Sequence, residues 1–147
     1  MEPGLLTDMF RQNRGKEVKH WREVHYQRLH QLMFKAMFMG MGEIYGVYTH
    51  HNELCAGAFF LKDHKHLIFL FSATTPEARR NGAMTFLLDA VIKEYAETAL
   101  VFDFEGSNNE NLARFYKGFG AHEIIYYQFK MNRLPFPLSY FLKLFKG

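Results

Sequence analysis

The sequence predicts an α+β domain in which helices flank one mixed, mostly antiparallel sheet. Helical hydrophobic spacing and strand-length apolar runs follow one another in the order α, β, β, β, α, β, α, β. Three of the strand-like runs are joined by short connections, which is typical of an antiparallel meander. The chain has 147 residues, of which 48% are hydrophobic. This is enough for one domain with a core of its own over residues 1–147.

The first predicted element is a long amphipathic helix. From Lys16 to about Met41, apolar residues recur at helical spacing, and basic residues fall between them. A shorter helical turn is expected before it, around Leu5–Phe10. No strand-like run precedes Lys16, so the predicted sheet begins only after the long helix.

Three strands are predicted next. Gly42–His50 and Leu54–Lys62 are rich in β-branched and aromatic residues and flank the turn His51–Glu53, which indicates a hairpin. A further apolar run, His66–Thr75, follows a second short turn. We expect these runs to form neighbouring strands of one sheet.

The second half of the sequence alternates helices and strands. After the third strand, one helix face is marked by Met84, Leu87, Leu88, Val91 and Tyr95. The remaining predicted elements are a strand over Ala99–Gly106, a helix over Asn108–Gly120, a strand over His122–Lys130 and an apolar tail over Arg133–Gly147. We expect the tail to pack against this domain, a second copy in a homodimer, or a missing neighbouring domain.

Composition narrows the possible functions. Eighteen basic and 15 acidic residues are interspersed, with a net charge of +3, so the chain lacks the basic face typical of nucleic-acid binding. A single cysteine, Cys55, excludes an internal disulfide and favours a cytoplasmic location. We expect no membrane span and no signal peptide. We also expect no metal site, because His20, His25 and His30 do not share a helix face.

The stretch PEARRNGAMTFLL, from Pro76 to Leu88, joins the third strand to the next helix. A helix N-terminus attracts anions through its unpaired N–H groups and partial positive charge. Gly82 would allow close approach of a ligand, and Arg79 and Arg80 would add charge. The stretch therefore predicts a phosphate or pyrophosphate site. The alternative is a solvated loop whose turn begins at Pro76.

This stretch resembles the phosphate-binding loop of the GNAT superfamily of N-acyltransferases. The family pattern is Pro-x-x-Arg-x-x-Gly-x-Gly/Ala, followed by a helix leucine. Pro76, Arg79, Gly82 and Leu87 match the proline, the arginine, the first glycine and the leucine. Met84 stands where the pattern has its second glycine or alanine, and its side chain could fill part of the pyrophosphate space.

A second motif of the same family lies downstream. Asn109, Tyr116 and Gly120 match an asparagine, a tyrosine and a glycine at the family's spacing, and a strand precedes them as the family expects. The resemblance covers about residues 42 to 130. Family members also begin with a strand before their first helices, and this chain departs from that pattern.

The resemblance implies transfer of an acyl group, with acetyl expected, from acetyl-CoA or another acyl-CoA to a small-molecule or peptide amine. It implies that backbone groups near the end of the third strand hold the pantetheine arm and that Asn109 orients it. The implied cofactor-binding residues are Phe71, Ser72, Ala73, Arg79, Arg80, Asn81, Gly82, Ala83, Met84 and Asn109.

The expected catalytic residues are Tyr116, as the acid that protonates the departing thiolate, and Asp103 or Glu105 as the base. The two carboxylates are expected to share one strand face, because alternate residues of a strand point the same way. Glu43 is a further base candidate. Structural alternatives stay open: Tyr116 as a core aromatic, Asp103 as a hydrogen-bonded carboxylate, and Glu105 as a helix-flanking one.

The segment DFEGSNNENLARFYKGFGA also resembles the Fem family of peptidoglycan-bridge peptidyltransferases. Members of that family carry two such domains in tandem and use aminoacyl-tRNA. The resemblance implies an alternative function as an aminoacyl or peptidyl transferase, in which tRNA would be the nucleic-acid partner and the chain one half of a tandem-domain protein. A third alternative is a non-catalytic GNAT-like interaction module.

Overall fold

The computed structural model describes residues 1–106, 108–127 and 129. The helices are α1 (Pro3–Gln12), a 3-10 helix (Arg14–Glu17), α2 (Glu23–Phe38), α3 (Pro76–Arg80), α4 (Ala83–Glu94) and α5 (Glu110–Lys117). The strands are β1 (Gly42–Tyr48), β2 (Leu54–Lys62), β3 (His66–Thr74) and β4 (Val101–Asp103). None of the described helices is long and apolar enough to cross a membrane.

The four strands form one sheet in the order β1-β2-β3-β4. β1 and β3 both pair with β2 antiparallel, and β4 pairs with β3 parallel. The predicted mixed, mostly antiparallel sheet is therefore confirmed. β4 contacts only His66–Ile68, and β3 continues to Thr74 beyond it. Among the described residues, that edge of β3 has no strand partner after Ile68.

A β-bulge at Leu70 changes which face of the sheet the residues of β3 occupy. Phe71 pairs with Phe59, but Phe69 pairs with Phe60, so β3 holds one extra residue. Without it, Phe69 and Phe71 would share a face. Instead, Phe69 packs beneath α4, and Phe71 packs beneath α1 and α2. After the bulge, each side chain of β3 therefore lies on the opposite face of the sheet from the one that simple alternation would give.

Two hydrophobic cores lie on opposite faces of the sheet. The first joins α1 and α2 to the sheet, and its buried members are Leu6, Met9, Phe10, Tyr26, Met33, Ala36, Phe59 and Ala73. The second lies beneath α4, and its buried members are Ala58, Phe60, Leu67, Phe69, Leu87, Leu88 and Val91. The helix face predicted for α4 is therefore confirmed at Leu87, Leu88 and Val91.

The prediction of one continuous helix from Lys16 was wrong. The 3-10 helix ends at Glu17, and α2 begins at Glu23. The break has a tertiary cause: the ring of Trp21 packs against Phe10, with 5.1 Å between centroids, and stacks near Phe71 on β3. Apolar residues that the spacing placed on a helix face therefore anchor the connection between α1 and α2 instead.

The strand predicted over Ala99–Gly106 is shorter, because Asp103 accepts a hydrogen bond from the Glu105 N–H at 2.8 Å and turns the chain. The strand predicted over His122–Lys130 was wrong for residues 122–127 and 129, which adopt no regular structure. A three-residue β4 offers little edge for another strand to pair with. Gln128, Lys130 and the predicted tail Arg133–Gly147 lie outside the described residues.

Glu43 on β1 lies at the centre of a polar cluster that ties β1 and β2 to the end of α4. Its carboxylate accepts hydrogen bonds from Lys62 Nζ, from the Tyr95 hydroxyl at 2.5 Å and from the Tyr45 hydroxyl at 3.0 Å. Burial raises the pKa of Glu43, but these hydrogen bonds together outweigh it and hold the pKa below the ordinary value of 4.5. Ionised Glu43 therefore stabilises the fold.

We predict that Glu43→Gln lowers the free energy of unfolding by about 1–3 kcal/mol at neutral pH, because it removes a charged acceptor from three partners. A carboxylate whose pKa is lowered on folding stabilises the protein above its unfolded pKa. The stability difference should therefore shrink as the pH falls below about 4.5. Urea unfolding of both proteins between pH 3.5 and 7 measures this.

The matched control is Asp89→Asn, which breaks the exposed pair between Asp89 and Lys93 on α4, 2.6 Å apart. Exposed helix pairs of this spacing contribute only about 0.3–0.5 kcal/mol. Equal losses in the two variants, or a Glu43→Gln loss that does not depend on pH, would contradict a stabilising cluster at Glu43.

Candidate active site

A groove of about 480 Å³ opens at the carboxyl end of β3. Its floor is β3, one wall is formed by α3, α4 and α5, and Arg14 enters from the opposite side. The lining residues are Arg14, Ser72, Ala73, Thr74, Arg79, Gly82, Met84, Thr85, Leu112 and Phe115. This set holds two arginines and no carboxylate, so the groove attracts anions.

The floor of the groove is the part of β3 that β4 leaves uncovered. β4 ends at Asp103, opposite Ile68, and the turn at Glu105 leads the chain away from β3. From Phe69 to Thr74, backbone groups on this edge have no strand partner within the described residues. Such an edge can hydrogen-bond an extended ligand that contains amide groups, as an added strand would.

The segment predicted as a loop between β3 and the next helix forms a helical turn of its own. Thr75 caps α3, since its hydroxyl accepts from the Ala78 N–H at 3.2 Å. The chain then turns at Gly82, and α4 begins at Ala83 without a side-chain cap. The first N–H groups of this 12-residue helix therefore lack intrahelical acceptors and lie beside the groove.

Gly82 adopts a left-handed conformation, with φ of 73°, and no atom lies within 4 Å of the position a Cβ would take. The left-handed conformation costs other residues about 1–2 kcal/mol. A side chain here would therefore strain the turn and project into open space at the groove. Gly40, between α2 and β1, has the same properties, with φ of 69° and no neighbour within 4 Å.

Half of the predicted cofactor-binding residues line the groove, and half do not. The lining members are Ser72, Ala73, Arg79, Gly82 and Met84. The ring of Phe71 packs 4.9 Å from Phe10 on the other face, so only its backbone is available at the strand edge. Ala83 begins α4 without lining the groove, and Arg80 and Asn81 are exposed at the end of α3.

Met84 lies in the wall of the groove and does not close it. Its side chain is half-buried and packs against the core beneath α4, and the groove keeps its volume of about 480 Å³ beside it. The thioether therefore narrows the groove from one side. The N–H groups at the beginning of α4 stay beside open space.

Asn109 is the N-cap of α5. Its side-chain oxygen accepts hydrogen bonds from the N–H groups of Asn111 and Leu112, at 3.0 and 3.1 Å. Asn109 itself is not among the groove residues, but Leu112 and Phe115 on α5 are. The cap therefore fixes the beginning of the helix that forms the apolar wall.

Tyr116 follows Phe115 on α5 and lies behind the wall. Its ring stacks on Phe104, with 4.6 Å between centroids, and meets Phe69 edge-on. The side chain is half-buried, and burial raises the pKa of its phenol above 10.0. The hydroxyl therefore stays protonated at neutral pH, as a general acid requires.

The predicted base residues lie outside the groove. The Asp103 carboxylate accepts a hydrogen bond from the Glu105 N–H. Glu105 lies beyond β4 and adopts a left-handed conformation, with a φ of 58°. The prediction that they share a strand face was therefore wrong. Both are exposed. Glu43 lies near the other end of β3, since Lys62, its hydrogen-bond partner on β2, pairs with Leu67.

Sequence reasoning missed Arg14, Thr74, Thr85, Leu112 and Phe115 as groove residues. Leu112 and Phe115 are three apart on α5 and share a face, so helical spacing could have identified them. The position of Arg14 depends on how the α1–α2 connection folds over β3, and no local pattern indicates it. Among the described residues, no group of three or more His, Cys, Asp or Glu could hold a metal ion.

A family model described as an acetyltransferase (GNAT) domain matches residues 3–118. No curated protein matches the chain significantly. The match covers the groove, the first predicted motif, Asn109 and Tyr116 of the second, and all the described helices and strands.

Several solved acetyltransferases have a similar fold. One is a predicted acetyltransferase with acetyl-CoA from Clostridium acetobutylicum (TM-score 0.68, 16% identity, 89% of this chain and 90% of that chain covered). Another is an aminoglycoside 6'-N-acetyltransferase from Acinetobacter baumannii (TM-score 0.54, 18% identity, 78% of this chain and 84% of that chain covered). A third is a ribosomal-protein-alanine N-acetyltransferase from Brucella melitensis (TM-score 0.57, 10% identity, 86% of this chain and 92% of that chain covered).

We predict that Asn109→Ala lowers the free energy of unfolding by about 1 kcal/mol, the usual cost of losing an N-cap. Asn109→Asp should keep nearly full stability, because aspartate is an equally good cap. Chemical denaturation of the two variants checks this. A loss in the aspartate variant as large as in the alanine variant would show that the cap is not what Asn109 contributes.

Proposed function

Because the chain belongs to the GNAT acetyltransferase family, we propose that it transfers an acyl group, in the first place acetyl, from coenzyme A to an amine on a small molecule or peptide. The observation that supports this most is the groove itself. It combines an uncovered strand edge, an uncapped helix N-terminus and the guanidinium of Arg79. These are the groups that a ligand with amides at one end and a diphosphate at the other requires.

Acetyl-CoA fits this donor set. The N–H groups of Ala83, Met84 and Thr85 and the guanidinium of Arg79 would hold the pyrophosphate. Arg80 and Asn81, exposed beside them, would add contacts from outside the groove. Main-chain groups of Phe71, Ser72 and Ala73 would hold the amides of the arm, and Leu112 and Phe115 would cover its apolar parts.

In the reaction, the amine nitrogen forms a bond to the thioester carbonyl carbon, and the carbon–sulfur bond breaks. The amine loses one proton, and the leaving thiolate takes one up. Backbone N–H groups at the edge of β3 would stabilise the carbonyl oxygen as it gains charge. Tyr116 would donate the proton to sulfur, as the family resemblance implies. It does not line the groove in this structure, so the donation requires its hydroxyl to turn toward the groove when acetyl-CoA binds. The amine proton would pass to water or, through water, to Asp103 or Glu105, the exposed carboxylates at and just beyond the end of β4.

Amines are the acceptors named for two proteins of similar fold, an aminoglycoside 6'-N-acetyltransferase and a ribosomal-protein-alanine N-acetyltransferase. We extend to this chain only the shared chemistry, transfer to an amine. The Fem-like alternative remains a second proposal, which rests on the resemblance of the segment DFEGS and on Met84, although Met84 narrows the groove without closing it. It predicts weak binding of coenzyme A together with affinity for a charged tRNA or a cell-wall precursor.

We predict that Gly82→Ala weakens acetyl-CoA binding at least about 10-fold, because the methyl group would stand where the diphosphate meets α4. Gly40→Ala is the matched control, since both glycines have a left-handed φ and open space around them. Both variants should lose about 1 kcal/mol of stability. Isothermal titration calorimetry and thermal unfolding of the three proteins measure the two effects.

Equal acetyl-CoA affinities in the two glycine variants would place the diphosphate elsewhere. Undetectable binding by the unaltered protein at millimolar acetyl-CoA would remove the cofactor proposal entirely.

We predict that Tyr116→Phe lowers kcat at least about 100-fold without changing the affinity for acetyl-CoA, because it removes a general acid and keeps the packed ring. With its pKa raised by burial, Tyr116 should not produce an alkaline loss of activity below about pH 10. Steady-state kinetics across pH 6 to 10 test both points. Unchanged kcat would make Tyr116 a packing residue.

A further inference from the structure

Arg14 is the one groove residue described that comes from the layer of α1 and α2. The other lining residues belong to β3, to α3, α4 and α5, or, in the case of Gly82, to the turn between α3 and α4. Because α1 and α4 pack on opposite faces of the sheet, the groove joins the two faces past the end of β4. Arg14 therefore borders the groove from the side of α1 and α2.

The position of Arg14 is set by its neighbours on both sides. The side chain of Asn13 donates to the Met9 carbonyl at 2.8 Å and fixes the end of α1. Gly15 is buried, and a Cβ there would lie 2.7 Å from the Tyr26 hydroxyl and 2.9 Å from the Phe10 carbonyl. The backbone around Arg14 is therefore held against the core, and its side chain extends from a fixed turn.

The guanidinium of Arg14 has no hydrogen bond or ion pair with any described residue. The nearby Arg11 differs, because it pairs with Glu23 at 2.7 Å. An arginine that lines a groove without a carboxylate partner suits a planar anion such as a carboxylate, which it can bind through two parallel hydrogen bonds.

We propose that Arg14 selects the acceptor, and that the preferred acceptor is an amine that also carries a carboxylate, such as a free amino acid. The inference rests on the proposed acyl transfer. With the diphosphate at α4 and the arm along β3, the proposal requires the thioester to lie on the side of the groove that Arg14 borders. An acceptor that enters there meets an unpaired cation beside its reacting amine.

The same charges disfavour a polycationic acceptor. Arg14 and Arg79 are the charged residues of the described lining, and the whole chain has a net charge of +3. A polyamine would meet repulsion in this groove and no carboxylate to pair with. The expected acceptor therefore carries a carboxylate beside its amine, which a polycationic amine lacks.

The test measures acetyl transfer from acetyl-CoA to matched pairs of acceptors, namely each standard amino acid and its carboxamide, with spermidine as the polycation. The preference should be at least about 10-fold in kcat/KM for the best carboxylate over its amide. Arg14→Gln should abolish the preference through KM and leave the acetyl-CoA affinity unchanged. Lys16→Gln, an exposed cation on the same 3-10 helix, should keep it.

Three outcomes would overturn the proposal: amides or spermidine accepted as well as the carboxylates, no carboxylate accepted at all, or a preference that survives Arg14→Gln. Calorimetry with acetyl-CoA, run in parallel, separates a failure of the Arg14 proposal from a failure of the proposed acyl transfer. If the protein binds no acetyl-CoA, the acyl-transfer function itself fails. If binding is intact and the preference is absent, only the role of Arg14 fails.

Discussion

The early end of β4 is the constraint on which the rest of this structure depends. A parallel strand of full length would cover β3 along its whole edge, but β4 pairs with only His66–Ile68. The hydrogen bond from the Glu105 N–H to Asp103 then turns the chain away from the sheet. The uncovered edge, the groove beside it and the passage between the two faces of the sheet all follow from this short pairing.

The two cores make that opening compatible with a stable fold. Each face of the sheet is covered by its own helices, so the gap between β3 and β4 does not expose a single continuous core. The bulge at Leu70 turns Phe71 toward Phe10 and Trp21. Packing beneath α1 and α2 thereby holds the backbone that forms the floor of the groove, while the polar cluster at Glu43 ties α4 to the far end of the sheet.

Much of the fold could be predicted from local patterns. The bounds of β2 agree with the prediction, and the helix face at Leu87, Leu88 and Val91 is buried as its spacing indicates. The failures have tertiary or side-chain causes. Trp21 has helical spacing but packs on Phe10, and Asp103 ends a strand that its apolar neighbours would have continued. The strand-like pattern over residues 122–127 does not produce a strand, because the three residues of β4 offer little edge for it to pair with.

The site was predictable where the signal is local. Gly82 and Arg79 match the family loop, and both line the groove. Arg14 was not predictable, because only the folding of the α1–α2 connection onto β3 brings it to the groove. Asn109 was predicted from the family motif and Asp103 from strand alternation. In the structure Asn109 caps α5 and Asp103 holds the turn after β4, and neither lines the groove, so their roles in binding and catalysis stay predictions.

The most direct test of the uncovered edge is amide hydrogen exchange with and without saturating acetyl-CoA. Exchange reports hydrogen bonding of individual backbone groups. The account predicts slower exchange on binding in two segments, Phe69–Thr74 on β3 and the first turn of α4 from Ala83. Saturation that leaves both segments unchanged, or protects only residues outside the groove, would contradict it.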